Sequence, residues 1–303
     1  MKLHQLRDVI AVADQGSLRA AARHLNIAQS AISKSVSALE KELGVPLFER
    51  QKRATVLTAM GTLFVQRART ASSELARAQD EISQHRGEGA GRVTVGLSTV
   101  PHIALLPSAV DTFTRRFPDV SLTVVEALGF HTVEAQMRDG TVDAYVGIAP
   151  ASKLSNEYVV EALFKNQRCV IGRKGHPLAG AQSLEDLTDA RWVLSSAQLA
   201  KSSFAGLFAK HRFKVPSRVI YAESVLSQLI FLQNCDALMI APVQALEFGP
   251  YAGRLVQIPV REAMEAPMVV MVRRAALPPT PAAEFFCDLM RRESVPMHAL
   301  SPS

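Results

Sequence analysis

Residues 58–86 contain one long repeat of small and apolar residues, which limits the folds open to this chain more than any other stretch. The repeated positions are spaced by three and four: Gly61, Phe64, Ala68, Ala71, Leu75, Ala78 and Ile82. Such spacing is typical of a coiled-coil seam. A helix over this range would be about 43 Å long at roughly 1.5 Å per residue, which is long for a core element. We therefore predict a dimerising linker helix, although an amphipathic helix packed on its own domain has the same pattern.

Short helices are predicted before this linker. The first covers about residues 3–13 and is followed by Gly16, and the second follows the capping residue Ser17 and ends at Asn26. The third, over residues 29–43, has an apolar stripe that we expect to be buried, made of Ile32, Val36, Leu39 and Leu43. Its opposite face is small, hydroxyl-rich and basic, with Ser30, Ser33, Lys34, Ser37 and Lys41. The last two helices, joined by a short turn, indicate a helix-turn-helix.

The stretch VPLFERQKRATVLT, residues 45–58, predicts a β-ribbon with a basic tip, which makes the fold a winged helix-turn-helix. Short hydroxyl side chains fit the major groove, and lysine and arginine neutralise phosphate. We predict base contacts from Gln29, Ser30 and Ser33, and mainly phosphate contacts from Lys34, Ser37, Lys52 and Arg53, with the minor groove as a further position for Arg53. A solvated helix face is the alternative. Residues 1–90 carry 13 Lys and Arg against 9 Asp and Glu, which suits a polyanionic partner.

A glycine-rich run, RGEGAGR at residues 86–92, ends the linker helix and opens an α/β region. Strand-like and helical stretches alternate from residue 92, which predicts a parallel sheet. The pattern restarts near residue 162, and MVVMVRR and TPAAEFFCDLMRRES predict a last strand and helix that return to the first lobe. We predict a DNA-binding domain at 1–57, a linker at 58–86 and an α/β domain at 87–303. Within the α/β domain, lobe I comprises about 91–161 and 268–300, and lobe II comprises about 162–267.

The stretch GSLRAAARHLNIAQSAISKSVSALEKELGVPLFERQKRATVLTAMG, residues 16–61, resembles the N-terminal domain of LysR-type transcriptional regulators. The resemblance continues through RRFPDV, MRDGTVDAYVGI and GRKGHPLA. It implies a linker helix that pairs two chains into a homodimer, and the assembly of dimers into a homotetramer. It also implies a two-lobed effector domain, similar to periplasmic binding proteins, that binds a small inducer between its lobes. The shorter motifs RWVLSSA and LPPTPAAEFF are similar to regulators of aromatic sulfonate degradation.

The sequence departs from the family pattern in two places. Ser30 stands where many relatives have proline after the glutamine, and Cys235, Asp236 and Ala237 stand where many have GxG before a strand. The second departure changes the backbone expected for a cleft-lining loop, and with it the transfer of ligand contacts from relatives.

Hydroxyl pairs follow a strand in each lobe. Ser98 and Thr99 precede a helix whose N–H groups attract anions, and Ser195 and Ser196 hold the equivalent place in the second lobe. We therefore predict that both pairs bind a carboxylate or sulfonate across the cleft. The predicted cleft walls are Phe130, His131, Phe204, Ala241 and Pro242. Helix capping is the alternative role for the serines, and core packing is the alternative for Phe204.

Several classes of function lack their motifs in this sequence. Cys169, Cys235 and Cys287 are far apart and outside any CxxC pattern, the histidines are not paired as metal ligands, and no GxSxG or P-loop is present. We expect no disulfide, metal, cofactor or catalytic role. Charges near the start and the lack of a long apolar run argue against a secretion signal or membrane span and favour the cytoplasm.

Together these features predict a cytoplasmic regulator that binds promoter DNA, senses a small organic anion, and thereby alters DNA bending and the access of RNA polymerase. One alternative is an architectural DNA protein or ligand-independent repressor, which would not need a two-lobed α/β domain. Another is a solute-binding protein of the same two-lobed fold, which would need an export signal and no DNA-binding domain.

Overall fold

The computed structural model describes residues 1–51, 54–86, 90–195 and 198–299. It begins with helices α1 (Leu3–Gln15), α2 (Leu18–Leu25) and α3 (Gln29–Leu43), followed by an antiparallel pair, β1 (Phe48–Gln51) and β2 (Ala54–Leu57). A common apolar core packs these elements together, and its buried members include Val9, Ile32, Leu39, Leu47 and Val65. The elements and their order are those of the predicted winged helix-turn-helix.

Left-handed residues set the turns on either side of α2. Gly16, with a φ of 65°, ends α1, and Asn26, with a φ of 53°, ends α2. Ser17 begins α2, because its Oγ accepts a hydrogen bond from the N–H of Ala20 at 3.1 Å. These local features fix the angle at which α3 leaves the turn.

Helix α4 (Ala59–His85) is the predicted long linker. Thr58 caps it, because its Oγ1 accepts the N–H of Gly61 at 2.9 Å. Glycine is required at position 61, where a Cβ would lie 1.9 Å from the carbonyl oxygen of Leu47. Gly61 and Ala68 are buried against the DNA-binding domain, so the core-packing alternative describes the first half of the seam. The second half leaves an apolar stripe on the surface of a single chain, made of Ala71, Leu75, Ala78 and Ile82.

Strands and helices alternate through the rest of the described chain. The first group is β3 (Gly91–Leu97), α5 (Thr99–Ala104), α6 (Leu106–Arg116), β4 (Val120–Glu126), α7 (Glu134–Asp139), β5 (Ala144–Ile148) and β6 (Tyr158–Lys165). The second group is β7 (Arg168–Arg173), β8 (Arg191–Leu194), α8 (Gln198–Lys210), β9 (Val219–Tyr221), α9 (Val225–Asn234), β10 (Ala237–Pro242) and β11 (Leu255–Ile258). The last elements are β12 (Met268–Arg274) and α10 (Pro281–Ala299).

Within the described residues these strands form two sheets. The first sheet has the order β4-β3-β5-β12-β6, in which β4, β3 and β5 are parallel and β12 is antiparallel to its neighbours. The second has the order β11-β7-β10-β8-β9, in which β10, β8 and β9 are parallel and β7 is antiparallel to its neighbours. Strand β12 returns to the first sheet as predicted, and α10 packs on that sheet's core through Phe286 and Met290.

Three segments differ from the sequence prediction. The helix predicted over residues 103–117 is divided between α5 and α6, because Pro107 has no N–H to donate to the carbonyl four residues earlier. The helix predicted over 131–140 is a 3-10 turn, Phe130–Thr132, followed by α7. Strand β6 continues to Lys165, which pairs with Met268, so the predicted lobe boundary between 161 and 162 falls inside a strand.

Candidate DNA-reading face and effector cleft

The outer face of α3 lies at the surface. Among the predicted contact residues on this helix, Ser33 is partly buried and the others are exposed, namely Gln29, Ser30, Lys34 and Ser37. The opposite face is buried through Ile32, Val36 and Leu39. Leu43 is 39% exposed, so its predicted place in the buried stripe is wrong. It lies in the last turn before the left-handed Gly44, beyond the apolar core of the domain.

Two arginines of α2 lie beside this face. Arg19 and Arg23 are exposed and, with Asn26, Ala28 and Gln29, line a surface depression between α2 and the start of α3. Guanidinium groups in this position are suited to phosphate contacts. Sequence reasoning missed them, although two arginines four residues apart on a short helix share one face.

The wing, which is the antiparallel pair of β1 and β2, is hydrogen-bonded to the helical part of the domain in two places. Next to β1, the Glu40 carboxylate of α3 accepts the N–H groups of Leu47 at 2.7 Å and Phe48 at 3.1 Å. In β2, the N–H of Thr55 donates to the carbonyl of Gly16 at 2.9 Å. The predicted phosphate contacts Lys52 and Arg53 lie outside the described residues.

Ser98 stands where β3 ends and α5 begins. It is only 4% exposed, and its N–H donates to the carbonyl of Val146 at 2.9 Å. Its Oγ makes no capping hydrogen bond to α5 and has no hydrogen-bond partner among the described residues. The capping alternative therefore does not account for this hydroxyl, and buried polar groups normally have a partner. Thr99, the first residue of α5, is partly buried.

Ser195 holds the corresponding place in the second sheet. It follows β8, is partly buried, and precedes α8, which begins at Gln198. Ser196 lies outside the described residues. Ser98 and Ser195 thus each follow the carboxyl end of a parallel strand, which is where open α/β sheets bind ligands.

Two of the predicted cleft walls belong to hydrophobic cores. Phe130 is 3% exposed, and its ring centroid lies 5.2 Å from that of Tyr158 in an edge-on contact. Phe204 is 5% exposed and packs against Trp192 at 5.0 Å and Phe208 at 5.1 Å between ring centroids. Core packing, the alternative for Phe204, describes both side chains.

The other predicted walls differ in their surroundings. Ala241 is buried in a core that it shares with Cys169 and Ala245. His131 is exposed, and Pro242, the last residue of β10, is partly buried. Pro242 is therefore the predicted wall that lies at a strand end without being enclosed.

The two sheets meet beside α5. This helix contacts the 3-10 turn Val243–Leu246, which follows β10, and its Ile103 packs on the core that contains Ala241 and Ala245. Backbone contact also reaches the crossover after β6, because the N–H of Val243 donates to the carbonyl of Gln167 at 3.1 Å. Helix α5 and the crossover therefore lie between the strand ends of the two sheets, where the sequence predicts the cleft.

Buried polar groups near this crossover lack partners. Asn166 is fully buried, and neither atom of its amide has a hydrogen-bond partner within the described ranges. The same is true of Nε of Arg168 and Oε1 of Gln244. Burial lowers the pKa of the Arg168 guanidinium, and the nearby charge of Glu265 acts in the opposite direction. Sequence reasoning missed these residues, and only Asn166 and Arg168 had a signal, the polar run KNQR between two apolar strands.

The second half of α4 is bonded to the first sheet. Oγ of Ser73 donates to the carbonyl of Gly140 at 2.7 Å, and Nη1 of Arg77 donates to Asp143 at 2.7 Å. Asp143 also accepts the N–H of Thr94 at 2.8 Å. Burial raises the pKa of Asp143, while the Thr94 N–H and the Arg77 charge act to lower it. Linker and sheet therefore share buried polar contacts.

The part of the chain that the structure describes contains no cluster of His, Cys, Asp and Glu arranged to hold a metal ion. Burial raises the pKa of Cys169 to about 11 and that of Cys287 to about 12, so both thiols stay protonated at neutral pH. No helix within the described ranges is both long enough and apolar enough to span a bilayer.

A winged helix-turn-helix, a long connecting helix and an α/β domain of two sheets are the architecture of a DNA-binding regulator with an attached substrate-binding domain. A family model described as bacterial regulatory helix-turn-helix protein, lysR family, matches residues 3–62. A second, described as LysR substrate binding domain, matches residues 86–294. The chain belongs to the LysR family, and it is a DNA-binding transcriptional regulator.

Similar proteins agree with this assignment. The transcriptional regulator GbpR of Azospirillum brasilense is 29% identical over 255 residues, which cover 82% of this chain and 74% of GbpR. Full-length OxyR from Pseudomonas aeruginosa has a TM-score of 0.70 at 22% identity, covering 96% of this chain and 95% of OxyR. Full-length CbnR in complex with its target DNA has a TM-score of 0.68 at 20% identity, covering 97% and 100%. The predicted fold class is confirmed.

Proposed function

We propose that this regulator senses a small organic anion, a carboxylate or a sulfonate, in the cleft between its two sheets, and that it works without a catalytic step. The observation that carries the proposal is the Ser98 hydroxyl, which is buried and has no partner among the described residues. A ligand oxygen supplies that partner. Ser195, after the corresponding strand of the second sheet, lets a ligand be held from both sides.

The anion acts by shifting the balance between two arrangements of the sheets. It can do so only by binding one arrangement more tightly than the other. The contacts of Ser73 and Arg77 with the first sheet carry the change to α4. In the cytoplasm, on promoter DNA, the result is altered DNA bending and altered access of RNA polymerase.

The exposed stripe of α4 supports pairing of two chains. Leu75 is 47% exposed and Ile82 is 60% exposed in a single chain, and a contiguous apolar stripe of this kind is typical of an interface. Two α4 helices packed along it form a homodimer that reads a pseudo-palindromic site, and two dimers form a homotetramer. In sedimentation experiments we expect Leu75→Asp to reduce the assembled mass and Gln79→Asp, at an exposed position of the same helix, to leave it unchanged. An unchanged mass for Leu75→Asp contradicts the pairing.

Anion sensing is tested with Ser98→Ala and a control, Ser108→Ala, at an exposed position in α6. Thermal unfolding is measured with benzoate, benzenesulfonate and succinate, since a ligand at 100 times its Kd stabilises a protein by about 2.7 kcal/mol. We expect at least one anion to stabilise the wild type and the control, and to stabilise Ser98→Ala less.

DNA footprints distinguish sensing from a ligand-independent role. We expect the footprint of the wild type to change when the stabilising anion is added. An identical footprint with and without that anion favours the architectural alternative, and a lack of stabilisation by every anion contradicts the proposed sensing.

A further inference from the structure

We propose that Arg168 is the charge partner of the effector anion, an inference that rests on the proposed function and names the residue that selects a charged ligand. Arg168 is the first residue of β7, directly after the crossover from the first sheet. It is partly buried, and its Nε is fully enclosed. None of the hydroxyl groups at the strand ends supplies a positive charge.

The topology places Arg168 at the ligand-binding edge of both sheets. Strand β6 is antiparallel to β12, as β5 is, so β6 ends at the same edge of the first sheet as β3 and β5. Strand β7 is antiparallel to β10, so it begins at the edge where β10 and β8 end. In the register of the second sheet Arg168 pairs with Pro242. The residue therefore lies where the carboxyl ends of the parallel strands face the cleft.

Strand alternation sets the face on which Arg168 lies. Cys169 and Ile171 pack into the core that includes Leu229 of α9, whereas Val170 packs with Trp192 and Phe208 on the α8 face. Side chains two residues apart on a strand share a face, so Arg168 lies on the α8 face. Helix α8 begins just after the end of β8, and the partial positive charge of a helix N-terminus adds to that of the guanidinium.

The surroundings leave the Arg168 charge without a direct counter-ion. Arg291, by comparison, forms ion pairs with Glu161, Glu284 and Asp288. In the described part of the chain Arg168 has no such ion pair, and Glu265 acts on it only through space. A guanidinium stays protonated even where burial lowers its pKa, so this charge is costly until an anion pairs with it.

The chemistry of these groups specifies the ligand class. A guanidinium donates two parallel N–H groups to the oxygens of a carboxylate or sulfonate, and such paired bonds are stronger than neutral ones. The hydroxyl of Ser98, whose Oγ has no partner among the described residues, can bond to a neutral oxygen or nitrogen atom. The site therefore takes an organic acid in its ionised form and rejects the matching neutral amide.

Three variants of the full chain test this role. Arg168→Gln removes the charge, and Arg168→Lys keeps the charge without the two parallel N–H donors. Arg191→Gln, the control, removes an exposed arginine at the start of β8, the end far from Ser195. Binding of benzoate, benzenesulfonate and succinate is measured by calorimetry and thermal shift, with benzamide as the neutral comparison. We expect Arg191→Gln to bind like the wild type, Arg168→Gln to bind the anion at least tenfold more weakly, and Arg168→Lys to fall between them. We expect no stabilisation by benzamide.

The outcomes distinguish a failure of the role of Arg168 from a failure of anion sensing. If an anion binds the wild type and Arg168→Gln equally, Arg168 is not the charge partner and anion sensing stands. If no anion binds the wild type, anion sensing and the role of Arg168 both fail. Without ligand, Arg168→Gln should unfold at the same temperature as the wild type or higher, because it removes a partly buried charge that has no ion-pair partner among the described residues. A large fall in that temperature for both Arg168 variants would show a structural role and overturn the inference.

Discussion

The DNA-reading face and the effector cleft place their polar groups in opposite ways. On the outer face of α3, Ser30, Lys34 and Ser37 lie at the surface and Ser33 is partly buried, and an apolar core holds the helix without them. In the cleft, Ser98, Asn166 and Arg168 have buried polar atoms without partners among the described residues. Such atoms cost stability until something bonds to them. The proposed reading face therefore needs no ligand to be stable, whereas we expect the proposed cleft to gain stability when a ligand binds.

Replacement of Phe204 by alanine tests whether this side chain belongs to the core or to the cleft. Replacing a buried aromatic ring with alanine costs about 3–5 kcal/mol, so we expect Phe204→Ala to lower the free energy of unfolding by that amount in urea titrations. Ser203→Ala, at the exposed neighbouring position, should change it by less than about 0.5 kcal/mol. A small loss of stability combined with a loss of ligand binding would make Phe204 a cleft wall.

Glu262, in contrast to Ser98, is a buried polar group that has hydrogen-bond partners. Its carboxylate accepts Oγ–H of Ser183 at 2.6 Å and N–H of Leu184 at 2.9 Å. Burial raises the pKa of Glu262, but these hydrogen bonds outweigh it and hold the pKa below its usual value. Ionised Glu262 therefore stabilises the fold above the unfolded-state pKa of about 4.3, and this contribution is lost as the pH falls through the lower, folded-state pKa.

For Glu262→Gln we accordingly expect a free energy of unfolding about 1–3 kcal/mol lower than that of the wild type at pH 7. The difference should shrink as the pH falls through the folded-state pKa of Glu262, which lies below the usual glutamate value, because the wild-type carboxylate then takes up a proton. Urea unfolding at a series of pH values measures it, with Glu247→Gln, at an exposed position, as the control. A difference that stays constant down to acid pH would show that the charge of Glu262 has no part in it.

The smallest effects on stability are expected on α3, where binding should change instead. Ser33→Ala and Lys34→Ala should each alter the free energy of unfolding by less than about 0.5 kcal/mol. On DNA selected from a random pool, Ser33→Ala should relax sequence preference, whereas Lys34→Ala should weaken binding to all sequences and reduce the salt dependence by about one phosphate contact. Anisotropy titrations at several salt concentrations measure both. Ser35→Ala, off the outer face, is the control, and unchanged preference in Ser33→Ala contradicts base contact by Ser33.

The two regions also differ in how far the sequence predicts them. On α3 a period of 3.6 residues distinguishes the buried face from the outer face within one segment. The burial predicted for the apolar stripe is wrong at Leu43, where the helix extends past the apolar core of the DNA-binding domain. Strand β6 was harder to recognise, because Val159 and Val160 are exposed and the strand contains Glu161. Its segment therefore shows neither a continuous apolar run nor a clean alternation.

The cleft could be predicted only in part, for a different physical reason. Ser98 and Ser195 follow strands, and that position can be identified from local patterns. Whether Phe130 faces a ligand or a core depends on Tyr158, which lies in a distant segment and packs against it. No periodic pattern in the sequence predicts the position of Arg168, because that position depends on how the chain crosses from the first sheet to the second.

The close approach of Gly61 to the carbonyl of Leu47 has a consequence for how operators can evolve. Leu47 is also held by Glu40 of α3, so the reading helix, the wing and the start of α4 meet at a joint built on backbone atoms. In the proposed dimer, the distance between the two reading helices is then fixed by this joint and by the α4 seam. Exchange of surface side chains can change which bases are read, but a new half-site spacing requires a shift of the seam or a bend in the DNA.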